Sequence, residues 1–377
     1  MTQSQAPSPT GRPRARGLGV PFDGLPGRHN AITDVDGVTV GYASRIEGAD
    51  VRTGVTAICP RGAAGAPWPV AAGVHRQNGN GEMTGVAWIE EAGTLSGPVM
   101  ITSTHAVGAV HAATVAWQRA RHPALRDAWL LPVVAETWDG FLSDGGTGHV
   151  SEAMVFAALD GARAGAIEEG AVGGGTGMIC YAFKGGSGTA SRRVAFGSRE
   201  HTVGAFVQAN FGARAELTVA GVHVGRAVDA HDPFADPGPV PAGSGSVIVV
   251  LATDAPLLPG QLTALARRAP LGLARTGTIG SHYSGDLIVA FSTANRDAFG
   301  RPGPDQGDPP PAYASLAFVP WAHMDPLFEA AVEAVEEAVV NALVAGTDMT
   351  GREGRWVPAL PHDQLRRALG LAPSDQG

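Results

Sequence analysis

Cysteine, charge and long apolar runs are all scarce in this sequence. Only two cysteines occur in 377 residues, Cys59 in VTAICP and Cys180 in GMICYAF. Two cysteines do not make a disulfide framework, and their spacing is not that of a zinc site. Their apolar neighbours instead predict two reduced thiols in the core.

Charged residues make up only 16% of the chain, with a formal net charge of −8 and no basic run beyond GRPRARG. A nucleic-acid or anionic-membrane partner would require a basic patch, so both partners are excluded. No segment has 18 uninterrupted apolar residues, and the opening MTQSQAPSPTGRPRARG has no apolar signal-peptide core. We therefore expect no membrane span, no secretory signal and a cytoplasmic location.

Glycine and short apolar segments are abundant. There are 53 glycines, and strand-like runs such as VTAIC, PVMITS, TVGAFVQAN, SVIVVLATD and DLIVAFST recur along the chain. Asp36-Gly37 lies between AITDV and VTVGY, which predicts a hairpin turn. Helical patterns are fewer and cover residues 106–121, 151–164, 260–275 and 325–345. Helices beside many strands predict a layered α+β sandwich rather than a doubly wound sheet.

The best linker is HDPFADPGPVPAGSG, residues 231–245, which contains four prolines and three glycines. It ends at Gly245-Ser246 and passes at once into the apolar VIVVLA. One interpretation is a surface loop that enters a buried strand. The other is a self-cleaving serine, since a glycine before it lets the peptide distort and the hydroxyl approach the preceding carbonyl. Cleavage would give Ser246 a free α-amine that can act as a base on its own hydroxyl.

Several common catalytic motifs are missing. The sequence has no G-x-S-x-G elbow, no G-x-x-x-x-G-K-[ST] loop and no H-E-x-x-H, and its glycine clusters lack the strand, loop and helix order of a dinucleotide site. The twelve histidines are scattered, and His105 and His111 are six residues apart, which is poor spacing for a shared metal. We expect neither a metal nor a cofactor.

Longer motifs occur together in one order: RGLGVPFDGLPGRHNAITDVDGVTVGY, NGNGEMTG, AETWDG, GGGTGMICYAFKGGSGTASR, TVGAFVQANFG, GSGSVIVVLATDAPLLPGQL and SGDLIVAFSTAN. From about residue 17 to 350 the chain resembles the L-aminopeptidase/D-esterase and β-peptidyl aminopeptidase family. The resemblance implies a four-layer αββα sandwich and a self-cleaving enzyme with an N-terminal serine nucleophile. It also implies short peptides, amino-acid amides or esters as substrates.

Four side chains match the catalytic positions of that family. Ser246 stands at the nucleophile, with Gly245 before the cut, and Asn210 stands at the asparagine that donates to the oxyanion. Ser284 and Asp286 match a Ser-x-acid pair beside the nucleophile, and their spacing puts them on one face of a strand. Without the resemblance, Asn210 and the S-G-D segment would be interpreted as turns.

Two further residues match the substrate site. Glu136, in AETWDG, matches an acidic residue that holds the free ammonium of the substrate, whereas taken alone it would be a solvated carboxylate at a strand end. Trp138 stands where some relatives have tyrosine beside the oxyanion, and because indole only donates, it could keep an electrostatic role but no acid–base role. Asn78 and Asn80 lie in the NGNG segment and are assigned no role.

The expected organisation is a flexible arm over residues 1–17 and a single catalytic domain over 18–377. Cleavage would divide the chain into 1–245 and 246–377, and the resemblance implies a homo-oligomer of the cleaved units. Two alternatives remain open. One is an N-acyltransferase of the ornithine acetyltransferase type, which shares the architecture but uses threonine; the other is a non-catalytic relative.

Overall fold

The computed structural model describes residues 6–146, 148–235, 243–300 and 313–372. The strands in this part of the chain are β1 (Thr39–Glu47), β2 (Val51–Cys59), β3 (Val70–Arg76), β4 (Thr94–Leu95), β5 (Val99–Ser103), β6 (Val133–Thr137), β7 (Ile179–Cys180), β8 (Phe183–Lys184), β9 (Gly186–Phe196), β10 (Arg199–Asn210), β11 (Gly245–Thr253), β12 (Ser284–Ser292), β13 (Met349–Thr350) and β14 (Trp356–Val357).

The α-helices are α1 (Val86–Ala92), α2 (Val107–Arg121), α3 (Glu152–Asp160), α4 (Val224–Ala227), α5 (Pro259–Ala266), α6 (Ala269–Arg275), α7 (Asp325–Val344) and α8 (His362–Ala368). Short 3₁₀ turns include Ala15–Leu18, Ile32–Asp34, Ala63–Gly65, Thr104–Ala106, Pro123–Leu125, Gly173–Gly175, Arg214–Glu216, Trp321–His323 and Arg352–Gly354. None of the helices in these described ranges is long and apolar enough to cross a membrane.

Two sheets face each other at the centre. The first has four strands in the order β1-β2-β5-β6, and the second has six in the order β4-β3-β12-β11-β10-β9. Their inner faces share one apolar core, to which Ile58 and Ile101 contribute from the first sheet and Phe206 and Ile248 from the second. The sheets therefore pack face to face through alternating inward side chains.

Helices cover both outer faces. On the four-stranded sheet, α2 and α3 bury Trp117 and Leu159 against the strands. On the six-stranded sheet, α5, α6 and α7 bury residues such as Leu265, Leu273 and Val339. The predicted αββα sandwich is confirmed, with both parallel and antiparallel pairs in each sheet.

The apolar VIVVLA segment lies in the middle of the larger sheet because both of its faces are covered. Val247, Val249 and Leu251 contact the helix layer, whereas Ile248 and Val250 contact the other sheet. All five are fully buried. A strand covered on both faces is continuously apolar, which explains the sequence of β11.

The flexible arm predicted for residues 1–17 is wrong for the part that the structure describes. Ala15 is fully buried, and its N–H donates to Asn341 Oδ1 of α7 at 3.0 Å. Arg14 and Arg16 belong to a mostly buried set that we call the arginine–glutamate cluster: Arg14, Arg16, Arg192, Glu169, Glu333 and Glu337. The basic arm is ordered because buried carboxylates neutralise it.

Candidate active site

Ser246 lies at the start of β11, between two neighbouring strands of the larger sheet. It pairs with Asn210 on antiparallel β10 and with Gly285 on parallel β12. Its side chain shares a face with Ile248 and so points towards the layer between the sheets. Only 3% of Ser246 is exposed in this uncut chain.

The Gly245–Ser246 peptide bond has the Ser246 hydroxyl beside it and no room for a side chain at residue 245. Ser246 Oγ donates to Gly245 O at 2.7 Å. A Cβ at position 245 would lie 1.9 Å from Asn210 O, so only glycine fits. The strand pairing therefore holds a hydroxyl beside a peptide bond that has no side chain in the way.

Asn210 carries a rigidly held amide opposite Ser246. Its Oδ1 accepts from Ile179 N at 2.8 Å, and its Nδ2 donates to Trp138 O at 2.9 Å. These partners fix which end of the amide is the donor, and in the part of the chain that the structure describes one N–H of Nδ2 is left for another acceptor. The geometry suits an amide that donates to a developing oxyanion.

Ser284 and Asp286 share one face of β12, as their spacing predicts. Ser284 Oγ donates to Asp286 Oδ1 at 2.5 Å, and both residues are buried. Ser284 is the register partner of Gly245, so β12 brings the pair next to the residue that precedes the nucleophile. Burial raises the pKa of Asp286, while bonds from Ser284 and Val247 N–H act in the opposite direction.

Glu136, on β6, is only 2% exposed, so it is not the solvated carboxylate that its strand-end position alone would indicate. Thr104 Oγ1 donates to one of its oxygens and Glu82 N donates to the other at 3.0 Å. Burial raises its pKa, and these two bonds partly offset that effect. Gly81 connects it to the nucleophile's strand pair, since a Cβ there would lie 3.2 Å from Glu136 Oε1 and 3.1 Å from Gly285 Cα.

Trp138 contributes its main chain to the site, because its carbonyl holds the Asn210 amide. The residue is 38% exposed, and no hydrogen bond of its indole N–H occurs within the described ranges. The structure thus brings Trp138 next to Asn210, although through its carbonyl oxygen rather than its indole N–H.

The predicted residues are brought together from both sheets. The described part of the chain contains no group of three His, Cys, Asp or Glu arranged to hold a metal ion. Sequence reasoning missed the partners that fix the carboxylates, namely Thr104, the Glu82 N–H and Asn78. The NGNGEM segment was the available signal, but it gave no indication of which side chain would face the site.

The model of peptidase family S58 matches residues 30–357. The chain belongs to peptidase family S58. This S58 chain is 47% identical to the β-peptidyl aminopeptidase BapA of Sphingosinicella microcystinivorans over 375 residues, which cover 95% of this chain and 92% of the relative.

Solved structures of two aminopeptidases are also similar to this chain. The L-aminopeptidase D-Ala-esterase/amidase of Ochrobactrum anthropi, described as a variant of the Ntn-hydrolase fold, superimposes with a TM-score of 0.87 at 47% identity, covering 95% of this chain and 98% of that one. A β-aminopeptidase of a Burkholderia species gives 0.86 at 48% identity, covering 96% and 100%. The chain is thus a peptide-cleaving hydrolase with this fold.

Proposed function

We propose that this S58 member is a self-processing serine aminopeptidase whose nucleophile is Ser246. One observation carries the proposal: the Ser246 hydroxyl lies 2.7 Å from Gly245 O, in a sheet position where residue 245 cannot bear a side chain. The single domain over 18–377 would then be cut into 1–245 and 246–377.

The first reaction is self-cleavage. Ser246 Oγ attacks the carbonyl carbon of Gly245, its proton passes to the departing backbone nitrogen, and the peptide becomes an ester. Water then hydrolyses the ester, which leaves a carboxylate on Gly245 and a free α-amine on Ser246. A reference pKa of about 7.7 to 8.0 allows that amine to act as the base for its own hydroxyl.

The second reaction is turnover. The Ser246 amine takes the hydroxyl proton as the oxygen attacks the substrate carbonyl, and the Asn210 amide donates to the oxyanion. The Ser246 ammonium then gives this proton to the leaving nitrogen as the intermediate collapses to an acyl-enzyme ester, which water cleaves. Ser284 and Asp286 orient the Ser246 amine.

The substrate is proposed to be a short peptide, amide or ester with a free N-terminal amine. Glu136 supports this, because it is a buried carboxylate with no arginine or lysine in ion-pair distance among the described residues. The relatives named above are aminopeptidases, esterases or amidases by description. The comparisons lend no support to an acyltransferase or to a non-catalytic relative.

We further propose a cytoplasmic homo-oligomer of cleaved units. Cys59 and Cys180 are both free and buried, which suits a reducing compartment. Large apolar side chains such as Trp129, Tyr313 and Trp321 are 92%, 91% and 56% exposed, and burial against another copy would remove them from water.

Two measurements test the proposal. Intact mass of wild-type protein should give two fragments that remain associated, whereas Ser246→Ala should stay in one piece. Ser244→Ala, two residues upstream in the same segment, is the control and should still be cut. A wild-type chain that remains full-length after prolonged incubation contradicts self-processing.

Turnover is tested on aminoacyl p-nitroanilides with free and N-acetylated amines. We expect release of nitroaniline only from the free-amine compounds, because acetylation removes the charge that Glu136 would bind. Equal rates on both would exclude an aminopeptidase.

A further inference from the structure

The segment NGNGEM, residues 78–83, lies directly over the strand beside the nucleophile. Position 285 is next to Ser246 in the sheet, and a Cβ there would lie 2.4 Å from Asn80 O and 2.7 Å from Gly81 Cα. Gln77 N donates to Asp286 O at 2.9 Å, which anchors the start of the segment to β12. The contact is so close that the segment forms one wall of the site.

One side chain of this wall reaches the Ser284–Asp286 pair. Asn78 Nδ2 donates to Asp286 Oδ2 at 2.9 Å and to Ser281 O at 3.1 Å. A carbonyl and an ionised carboxylate can only accept, so it is the NH₂ end of Asn78 that faces them. Both N–H groups are used, and the amide is fixed between two acceptors.

The two carboxylate oxygens of Asp286 accept from different donors, and this fixes the direction of the hydrogen bonds around the pair. Its Oδ1 accepts the only proton of the Ser284 hydroxyl, and its Oδ2 accepts from Asn78. Ser284 therefore has only lone pairs left for any other neighbour. A proton on Oδ2 would oppose the Asn78 N–H and disturb this arrangement.

We propose that Asn78 is a positioning residue of the reaction, which keeps Asp286 ionised and in one rotamer so that Ser284 offers only an acceptor to the Ser246 amine. The amine then turns its N–H groups to Ser284 and its lone pair to its own hydroxyl. The inference rests on the proposed function and deepens it, because it names the side chain that sets the direction of the hydrogen bonds.

Charged side chains in the described ranges do not hold the Asp286 carboxylate in place of Asn78. His75 on β3 lies on the same face as Asp286, two positions along the sheet. In the described ranges, no charged or titratable side chain of the surrounding elements lies within ion-pair or hydrogen-bond distance of the Asp286 carboxylate. The nearby groups of this kind are His75, Glu82, Arg267, His282 and Tyr283. The Asn78 amide is thus the polar side chain that acts on Oδ2.

The test compares Asn78→Asp with Asn80→Asp in processed protein. Asn80 is the matched control, since its Nδ2 bonds Tyr283 O at 3.0 Å and does not contact the carboxylate. The readout is kcat/KM on a free-amine aminoacyl p-nitroanilide from pH 5 to 9. Two carboxylates at hydrogen-bond distance share a proton, so the acid limb of Asn78→Asp should move to higher pH by about one unit or more. Asn80→Asp should keep the wild-type acid limb.

Asn78→Ala covers the case in which Asn78→Asp does not fold, which thermal unfolding would reveal. Loss of the donor without new charge should lower kcat about tenfold with little change in KM. Identical acid limbs for the two aspartate variants, or wild-type kcat for Asn78→Ala, overturn the inference. Wild-type protein that does not hydrolyse free-amine substrates overturns the proposed function itself, and the inference with it.

Discussion

Buried carboxylates occur in two regions, and the two regions treat them differently. In the arginine–glutamate cluster, Glu337 accepts from Arg16 at 2.9 Å and from Arg192 at 2.8 Å. In the candidate active site, Glu136 and Asp286 are also buried, but their donors within the described ranges are neutral hydroxyl, amide and backbone groups.

The pKa values depend on how many arginines pair with each carboxylate. Glu169 and Glu333 each pair with one arginine, and burial still raises their pKa values. Glu337 pairs with two and differs from the site carboxylates. Burial tends to raise the pKa of Glu337, but the Arg192 and Arg16 guanidinium groups outweigh it and the pKa is lowered. Burial prevails at Glu136 and Asp286, whose pKa values are raised. The chain neutralises the charges that hold the fold and leaves the site's carboxylates for a cation from outside, such as a substrate ammonium.

The largest expected effect is from Glu337→Gln. The amide would leave Arg16 and Arg192 buried with too little negative charge and place an NH₂ group near a guanidinium, which costs about 3 to 5 kcal/mol in free energy of unfolding. Denaturant unfolding should be measured in the Ser246→Ala background, where we expect the chain to stay in one piece. Glu336→Gln is the control, because its partner Arg275 is exposed and the change should stay within about 0.5 kcal/mol. Equal stability of the two variants would contradict the role of the cluster.

Asn210→Ala should instead have its large effect on the reaction rate rather than on stability. Loss of one oxyanion donor typically lowers kcat by roughly 10² to 10³. Steady-state kinetics on a free-amine p-nitroanilide check this, and circular dichroism confirms that the variant is folded. Near-normal kcat would leave Asn210 as a structural link between Ile179 and Trp138.

Glu136→Gln makes the same change, glutamate to glutamine, in the candidate active site. The loss of one charge-assisted contact corresponds to about 1.5 to 3 kcal/mol, so kcat/KM for free-amine substrates should fall roughly 10- to 150-fold. Self-cleavage should continue, because the precursor presents no free amine there. Glu82→Gln, an exposed neighbour, is the control. Unchanged preference for free over N-acetylated substrates in Glu136→Gln would rule out the ammonium contact.

The smallest expected effect is on the pH dependence of stability, to which Glu136 and Glu337 should contribute with opposite signs. The folded pKa of Glu136 is raised, so its contribution to stability is complete below the unfolded pKa and is lost as pH rises through the folded value. The folded pKa of Glu337 is lowered, so its contribution is complete above the unfolded pKa and is lost as pH falls through the folded value.

Relative to the parent, Glu136→Gln should therefore gain stability as pH rises above the ordinary glutamate pKa of about 4.3. The deficit of Glu337→Gln should instead shrink as pH falls below that value. Unfolding curves at several pH values in the Ser246→Ala background measure both slopes. Slopes of the same sign would show that the two regions do not differ in charge compensation.

Local patterns in the sequence predicted a layered α+β fold and the longer helices, whereas the αββα order of the layers was implied by the family resemblance. The predicted helix 325–345 is α7, and 106–121 is α2. The predicted helix 260–275 is instead α5 and α6, since Pro270 at the start of α6 lacks the N–H that a continuous helix would need.

The predicted hairpin at Asp36-Gly37 is wrong. Residues before it form a 3₁₀ turn in which Asp34 accepts from His29 N and Ala31 N, and the hairpin joins β1 to β2 instead. Asp34 competes with strand pairing for these backbone donors, which a propensity for strand does not reveal.

Contacts between distant residues could not be predicted from the sequence alone. Arg16 lies 321 residues from Glu337, and Asn78 lies 208 residues from Asp286. A basic run looks solvated until its acidic partners are known, and an asparagine near glycines looks like a turn. The site residues that the sequence did indicate came from the order of long motifs rather than from any single spacing.

The order of strands in the larger sheet also has a consequence for refolding. Strands β11 and β12, from residue 245 onward, lie between β3 on one side and β10 on the other. A cut at Gly245 would leave two polypeptides interleaved in one sheet, held by ladders on both flanks. Once denatured, they would have to meet again as separate molecules and would lose the high effective concentration that a covalent linker provides. The uncut chain could then fold at a rate independent of its concentration, whereas the mature protein could not. Maturation would therefore make refolding of a denatured molecule depend on the concentration of both fragments.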